Sequence, residues 1–336
     1  MTDIYPSKCV HTHANYLMMG IYMLLWLTVL AAGVCLLLVS TNSLISAARF
    51  LAFSWRISPL VVGTLIVGLI TNLPELTVSL TATLQGDTQL AIGNVIGSNI
   101  VNVLLALPAG ILAGKLRVGT TKTQKSIRLL LVITILFVIL VISGLPPLTI
   151  GITLLVLTAG YICLELFWAI IGRNEEDKKT IKNFPKYHHP SSLAAKIIAS
   201  VTGITLGGII VVQSVENLAV ITGLSTGFLG LTLASTATSL PEIFTSIFSQ
   251  ENHQAKVTLG NIIGSNFYNL LLIAGLAYLL SRPVTPHNIE IIWLIGSTFM
   301  LAFLAHHFQG KGIPKYLGLL LLGLSLLYFI TLYLMS

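Results

Sequence analysis

Two glutamates stand where an acidic side chain is costly. Glu75 and Glu242 each follow a proline inside a long apolar run, and neither Lys nor Arg lies near the middle of any such run. An ionised carboxylate in hydrocarbon must be paired, protonated or bound to a cation. Two carboxylates without a fixed positive partner therefore point to a cation site. The bland alternative is a pair of protonated glutamates hydrogen-bonding between helices. The neighbouring residues weigh against it, because they too are of ligand type.

Those neighbours occur twice. Thr71-Asn72-Leu73-Pro74-Glu75 is followed by Gly93-Asn94-Val95-Ile96-Gly97-Ser98-Asn99 and Asn102. Exactly the same spacing separates Thr238-Ser239-Leu240-Pro241-Glu242 from Gly260-Asn261-Ile262-Ile263-Gly264-Ser265-Asn266 and Asn269, at an offset of 167 without a gap. Twelve of the 32 aligned positions are identical, and most identities are Gly, Pro, Asn, Ser, Thr or Glu rather than interchangeable aliphatics. Chance matching of apolar runs would give the opposite bias, so the chain carries a duplicated unit with a polar heart.

Pro74 and Pro241 each remove a backbone donor and predict an opened helix just upstream, with carbonyls such as those of Thr71 and Thr238 turned to a cavity. A plain proline kink is the simpler reading of one such proline, but not of two, each beside a glutamate. The two GxxxG pairs (Gly93/Gly97 and Gly260/Gly264) predict close helix packing. That packing brings Ser98, Asn102, Ser265 and Asn269 up to the glutamates, and each Ser–Asn pair, four residues apart, shares one helix face. Asn94, Asn99, Asn261 and Asn266 fit helix capping or bridging better than ligation. Four carboxylate oxygens, two Thr carbonyls and Ser or Asn oxygens make six or more hard donors, which suits Ca²⁺; the same oxygens could be shared among several Na⁺. The set holds neither thiolate nor imidazole, against Zn²⁺ or Cu⁺.

The elements that must hold these residues are membrane helices. Of 336 residues 55% are hydrophobic and 9% charged, against about 25% charged in a soluble domain. Runs of about 20 apolar residues recur, each long enough to cross the hydrocarbon. Ten spans are expected, near 18–48, 58–84, 89–113, 127–144, 148–171, 195–221, 226–250, 256–280, 288–307 and 315–334. The expected fold is all-α and polytopic: ten transmembrane helices in two inverted five-helix repeats. The first repeat covers 1–172 with its core at 58–113. A charged cytoplasmic linker covers 173–190, and the second repeat covers 191–336 with its core at 226–280. Because five is odd, the second repeat enters the membrane from the opposite side, as in many secondary transporters.

Charge sets the orientation. With both termini outside, 16 of the 18 basic residues fall on the cytoplasmic side and only Lys8 and Arg282 outside, as the positive-inside rule requires of a multi-pass cell (inner) membrane protein. The net charge of +7 is thus explained by loops rather than by nucleic acid. The first apolar run is too long for a signal-peptide core and is taken as a retained span. Cys9, Cys35 and Cys163 show neither metal spacing nor a disulfide framework. Glu165 lies in the fifth span with Leu332 at the symmetric place, and is read as interfacial or hydrogen-bonded. His188, His189, His306 and His307 are read as interfacial, as are Trp26, Trp55, Trp168 and Trp293. A membrane enzyme would need a nucleophile and base, or a His-rich metal set, at one depth, and none is found.

TNLPE…GNVIGSNIVN and TSLPE…GNIIGSNFYN resemble the two α-repeats of the cation/Ca²⁺ exchanger superfamily, closest to Na⁺/Ca²⁺ exchangers and their prokaryotic homologues. The resemblance implies Glu75 and Glu242 as central ligands, with Thr71, Asn72, Ser98, Asn102, Thr238, Ser239, Ser265 and Asn269 around them. Ile70 and Ala237 depart from a family Gly, Asn72 from a family Ser, and Asn269 matches the K⁺-independent type. It further implies Na⁺/Ca²⁺ antiport in which a two-helix gate, spans 1 and 6, slides across the site. Ca²⁺ and Na⁺ are then the transported substrates, with no cofactor and no obligatory protein partner. The nearest rival is a divalent cation/H⁺ antiporter, since a buried Glu can carry protons; a passive channel is the third reading.

Overall fold

The computed structural model describes residues 8–54, 59–114, 116–118, 121–171, 190–222, 232, 234–251, 255–280 and 286–335. The expected linker 173–190 lies outside these, apart from Pro190. Among the described residues the fold is all helical, and the single β pairing is a bridge between Arg117 and Gly312.

The first repeat begins with α1 (Lys8–Ser54). A broken span follows: α2 (Pro59–Val62), a π turn (Gly63–Val67), α3 (Gly68–Thr71) and α4 (Leu73–Leu84). Then come α5 (Thr88–Val101), a π turn (Asn102–Ala106), α6 (Leu107–Ala113), α7 (Thr121–Ile142) and α8 (Pro147–Ile171). The second repeat gives α9 (Pro190–Thr222), α10 (Ser235–Thr238), α11 (Leu240–Glu251), α12 (Ala255–Phe267), a π turn (Tyr268–Ile273), α13 (Ala274–Leu280), α14 (Asn288–His307) and α15 (Lys315–Met335). The offset of 167 carries α4 onto α11 and α6 onto α13 residue for residue, so the duplication extends to element boundaries.

Among the described residues eight helices are long and apolar enough to cross a membrane, and α2–α4 makes a ninth span bent by 44°. The expected count is ten. Of the span expected near 226–250, most of the part before α10 lies outside the described residues.

The contacts establish the inversion. Gly63 lies against Gly260, and Gly68 against Gly264 and Ser265, so the first half of the broken span runs parallel to α12. Meanwhile Asn94 reaches Glu75 and Ser79, and Ser79 reaches Ala91, so α5 runs antiparallel to α4. Hence α5 and α12, which are equivalent by sequence, point in opposite directions. α1 and α9 form an antiparallel pair, with Gly33 against Ile210, Leu37 against Gly207 and Ser40 against Gly203.

Ties between loops and helix ends agree with the charge-based sidedness. Lys196 Nζ donates to Ser46 Oγ (2.8 Å), and Lys122 Nζ to the Trp168 carbonyl (3.2 Å). Val118 N–H donates to the Lys311 carbonyl and Gly310 N–H to the Val118 carbonyl beside the Arg117–Gly312 bridge, while Gln89 meets His287 at 3.0 Å on the other face. Each tie joins two segments that the charge pattern assigns to one side.

Among the described residues the apolar packing forms two main clusters and a small third one at Ala47, Leu51 and Leu193. The larger cluster fills the space among α5–α8 and α12–α15; a smaller one lies between the α1/α9 pair and the broken spans, built from Leu37, Leu44, Ile45, Val62, Val67, Ile204 and Val211. The polar repeat motifs lie between these two clusters.

Candidate cation site

Each half-site starts at a helix break. Asn72 (φ −79°, ψ 2°) and Ser239 (φ −81°, ψ 5°) interrupt their spans with nearly identical geometry, and a twelve-residue helix restarts at Leu73 and Leu240. Proline occupies the second position of each new helix, where an N–H is not needed. It is also the residue that would otherwise donate four back, so the missing bonds are those to the Ile70 and Ala237 carbonyls. The ladder resumes with Leu76 donating to Asn72 O (2.9 Å) and Ile243 to Ser239 O (3.1 Å). Glu75 and Glu242 therefore sit in the first turn of a half-helix, whose N-terminal dipole favours their negative charge.

All ten residues expected at the site are buried, and both glutamates are wholly so. Ser239, Thr238 and Thr71 cross between repeats, whereas Ser265 stays with the glutamate of its own repeat. Ser239 Oγ donates to Glu75 Oε1 at 3.3 Å, and Thr238 faces the same carboxylate. Ser265 Oγ donates to Glu242 Oε1 at 3.2 Å, and Thr71, 3.4 Å from Ser265 Oγ, faces that carboxylate from the first repeat. Ser98 Oγ meets Thr238 Oγ1 at 3.5 Å. Glu242 lies close enough to Glu75 for two ionised carboxylates to repel. Glu75, Glu242, Thr71, Thr238, Ser98, Ser239 and Ser265 thus share one buried cluster. Among the described residues, Glu75 Oε2 and Glu242 Oε2 have no hydrogen-bond partner. A buried anionic oxygen left without a donor is suited to a cation.

The asparagines divide. Asn72 turns its amide N–H back to the Gly68 carbonyl and leaves its Oδ1 without a partner. Asn102 donates to Asn266 Oδ1 (3.0 Å) across the repeats, its own Oδ1 remaining unpartnered, while both polar atoms of Asn269 lack a partner among the described residues. Asn94, Asn261 and Asn266 bridge helices, Asn261 by accepting from Thr71 at 3.1 Å, and Asn99 bonds to its own helix at Val95.

Three features add to the sequence reading, and only the first is not expected from it. π turns start at or beside Asn102 and Asn269 and follow Val62, and such turns often mark functional positions. The symmetric Asn is their sequence signal; proline is not their cause, since Pro108 has Gly275 as its counterpart. The second feature is the fit of Gly260 and Gly264 against the backbone of the first repeat: a Cβ on Gly264 would lie 2.4 Å from the Thr64 carbonyl oxygen. The third is Glu165, which is wholly buried and accepts from Ser126 Oγ (3.2 Å) and Thr64 Oγ1 (3.5 Å), with the charge of Lys122 nearby. Of the two readings of Glu165, hydrogen bonding is the one observed.

Inverted repeats, broken spans and a buried anionic cluster at their meeting point define a secondary transporter for cations. The chain belongs to the sodium/calcium exchanger protein family, which matches residues 25–167 and 192–335. Its relatives include the inner membrane protein YrbG of Escherichia coli, 29% identical over 80% of this chain and 82% of that one. Another is the sodium/calcium exchanger MaX1 of Methanosarcina acetivorans, 23% identical over 74% of this chain and 81% of that one. Among solved structures it resembles the sodium-calcium exchanger NCX_Mj soaked with Na⁺ and Sr²⁺, with a TM-score of 0.76 and 23% identity over 91% of this chain and 98% of that chain.

Proposed function

We propose that the chain exchanges Na⁺ for Ca²⁺ across a cell (inner) membrane by alternating access, with Glu75 and Glu242 as the central cation ligands. Thr71, Asn72, Ser98, Asn102, Thr238, Ser239, Ser265 and Asn269 complete the oxygen cage. The observation that carries this reading is the matched state of the two glutamates, both serine donors coming from the second repeat. Each is fully buried, comes from a different repeat, and has one oxygen bonded to a serine hydroxyl and one without a partner. Two carboxylate charges neutralise one Ca²⁺, and the hydroxyls and carbonyls supply the six to eight oxygens that ion takes. Without cations the two charges repel in a low dielectric, which disfavours crossing with an empty site and couples the two fluxes. The α1/α9 pair is the moving gate. Residues 1–172 and 191–336 are the two repeats, joined through 173–190, with both termini outside. The protein transports without catalysing a covalent reaction and works without a cofactor or an obligatory protein partner.

A Ca²⁺/H⁺ antiporter is the alternative. It draws on the same observation, since buried carboxylates without a basic partner can carry protons. Proteoliposomes loaded with Na⁺ and diluted into labelled Ca²⁺ separate the two. Na⁺/Ca²⁺ exchange predicts uptake that follows the outward Na⁺ gradient and survives an uncoupler. Uptake driven only by a pH gradient, and abolished by the uncoupler, would replace Na⁺ by H⁺ as the coupling ion.

A further inference from the structure

The second half of each broken span leads from its glutamate to one membrane face, and the two halves differ. On α11 the face that carries Glu242 continues through Thr245, Ser246, Ser249 and Gln250, at steps of three, four, seven and eight residues, so all share one side of the helix. Thr245, Ser246 and Ser249 are fully buried. Their hydroxyls have no hydrogen-bond partner among the described residues, and only Gln250 is tied, donating to Thr258 Oγ1 at 2.9 Å. On α4 the equivalent residues are Val78, Ser79, Ala82 and Thr83. Ser79 and Thr83 are bonded, Ser79 to the Ala91 carbonyl and Asn94, and Thr83 to the Ser79 carbonyl. Val78 packs into the apolar cluster between the α1/α9 pair and the rest of the protein.

That cluster locates the α11 hydroxyls. Phe244 and Phe248, on the other flank of α11, join the same cluster with Leu44, Ile45 and Ala48 of α1. Ser246 and Gln250 lie against Gly110 and Gly114 beyond the end of the site. Thr245 and Ser249 lie between these two flanks of α11, at the edge of the seam with α1; of their counterparts, Val78 packs into the seam cluster and Ala82 into the larger apolar cluster. A buried hydroxyl left unbonded costs about 1–3 kcal/mol, a penalty that contact with water or a cation removes.

We propose that the Thr245–Ser246–Ser249 face of α11 lines the half-route between Glu242 and the basic, cytoplasmic face, opened when α1 moves, whereas on α4 Val78 and Ala82 are apolar and Ser79 is tied to α5, which leaves that half-route narrower and drier. This rests on the exchanger reading above. The occupant is a partly hydrated Na⁺ or Ca²⁺, whose shell the hydroxyls replace in passing without holding it.

The test swaps the residues of repeat one into repeat two. Thr245→Val together with Ser249→Ala is expected to slow Ca²⁺ uptake about tenfold in proteoliposomes, the effect of about 1.4 kcal/mol on the barrier. Equilibrium binding of labelled Ca²⁺ in detergent should be unchanged. A parallel loss of binding would make these hydroxyls ligands, and an unchanged rate would remove them from the route; either overturns the proposal. Independently, with Cys9, Cys35 and Cys163 replaced by serine, Thr245→Cys and Ser249→Cys should react with a charged, membrane-impermeant thiol reagent from the basic face. Val78→Cys and Ala82→Cys should react much more slowly from the opposite face. Equal labelling on the two sides, or none on α11, overturns the asymmetry. Labelling is independent of the driving gradient, so H⁺ coupling would alter the proposed counter-ion and leave this result intact.

Discussion

The two repeats agree at the break and differ beside it. Asn72 and Ser239 share their backbone angles, and Pro74/Glu75 and Pro241/Glu242 open equivalent helices. Yet Glu165 has Leu332 as its counterpart, Val78 has Thr245, and Ala82 has Ser249. The shared part is what any cation between the repeats would need from both sides. The unshared part surrounds it: a polar anchor under the first repeat and a polar seam along the second. A duplicated transporter can thus keep one symmetric cage while its two faces diverge.

The comparison is broken most severely at the glutamates. Glu75→Gln and Glu242→Gln should each lower Ca²⁺ transport by about 10²-fold or more, because the charge count of the site sets its affinity for a divalent ion. Initial rates in proteoliposomes check this, and a large effect in only one of the two would show that the repeats are not equivalent at the cage. Next come the glycines that join the repeats. Gly264→Ala forces a Cβ to within 2.4 Å of the Thr64 carbonyl oxygen and should cost about 3 kcal/mol, whereas Gly296→Ala and Gly323→Ala meet open space and should be close to neutral in thermal unfolding.

Smaller effects sharpen the asymmetry. Ser126→Ala removes a donor from the buried Glu165 carboxylate and should lower stability by about 1.5 kcal/mol while leaving the Na⁺ dependence of uptake unchanged. A shifted Na⁺ dependence would tie Glu165 to the transport site. Asn72→Ser makes the first break resemble the second. It loses the amide bond to the Gly68 carbonyl, so a cost of about 1 kcal/mol with Ca²⁺ transport retained is expected. Loss of transport would show that the Asn72 Oδ1 fills a place in the cage that a serine hydroxyl cannot.

Much of this was legible in the chain. Apolar runs locate helices well, because the bilayer fixes their length: the span expected near 89–113 is α5 with α6, and that near 288–307 is α14. The breaks were legible because proline and a glutamate in hydrocarbon have few other uses. The side chains that cross between repeats were not, since an offset of 167 says which residues are equivalent and not which ones meet. Ser239 bonds Glu75 rather than its own repeat's Glu242, and Asn102 meets Asn266 rather than Asn269. The π turns left no periodic trace, because one extra residue in a turn does not disturb a uniformly apolar pattern. Glu165 lacked the repeat signal that marked the other two, and its partners, Thr64 and Ser126, lie 101 and 39 residues away in the chain.

The most direct test is the binding of labelled Ca²⁺ to the purified protein in detergent, titrated with Na⁺. With Glu75 and Glu242 sharing one ion, the intact chain should bind a single Ca²⁺ that Na⁺ displaces, and neither Glu75→Gln nor Glu242→Gln should retain it. Na⁺-sensitive binding that persists at full affinity in either variant would contradict a cage shared between the two repeats.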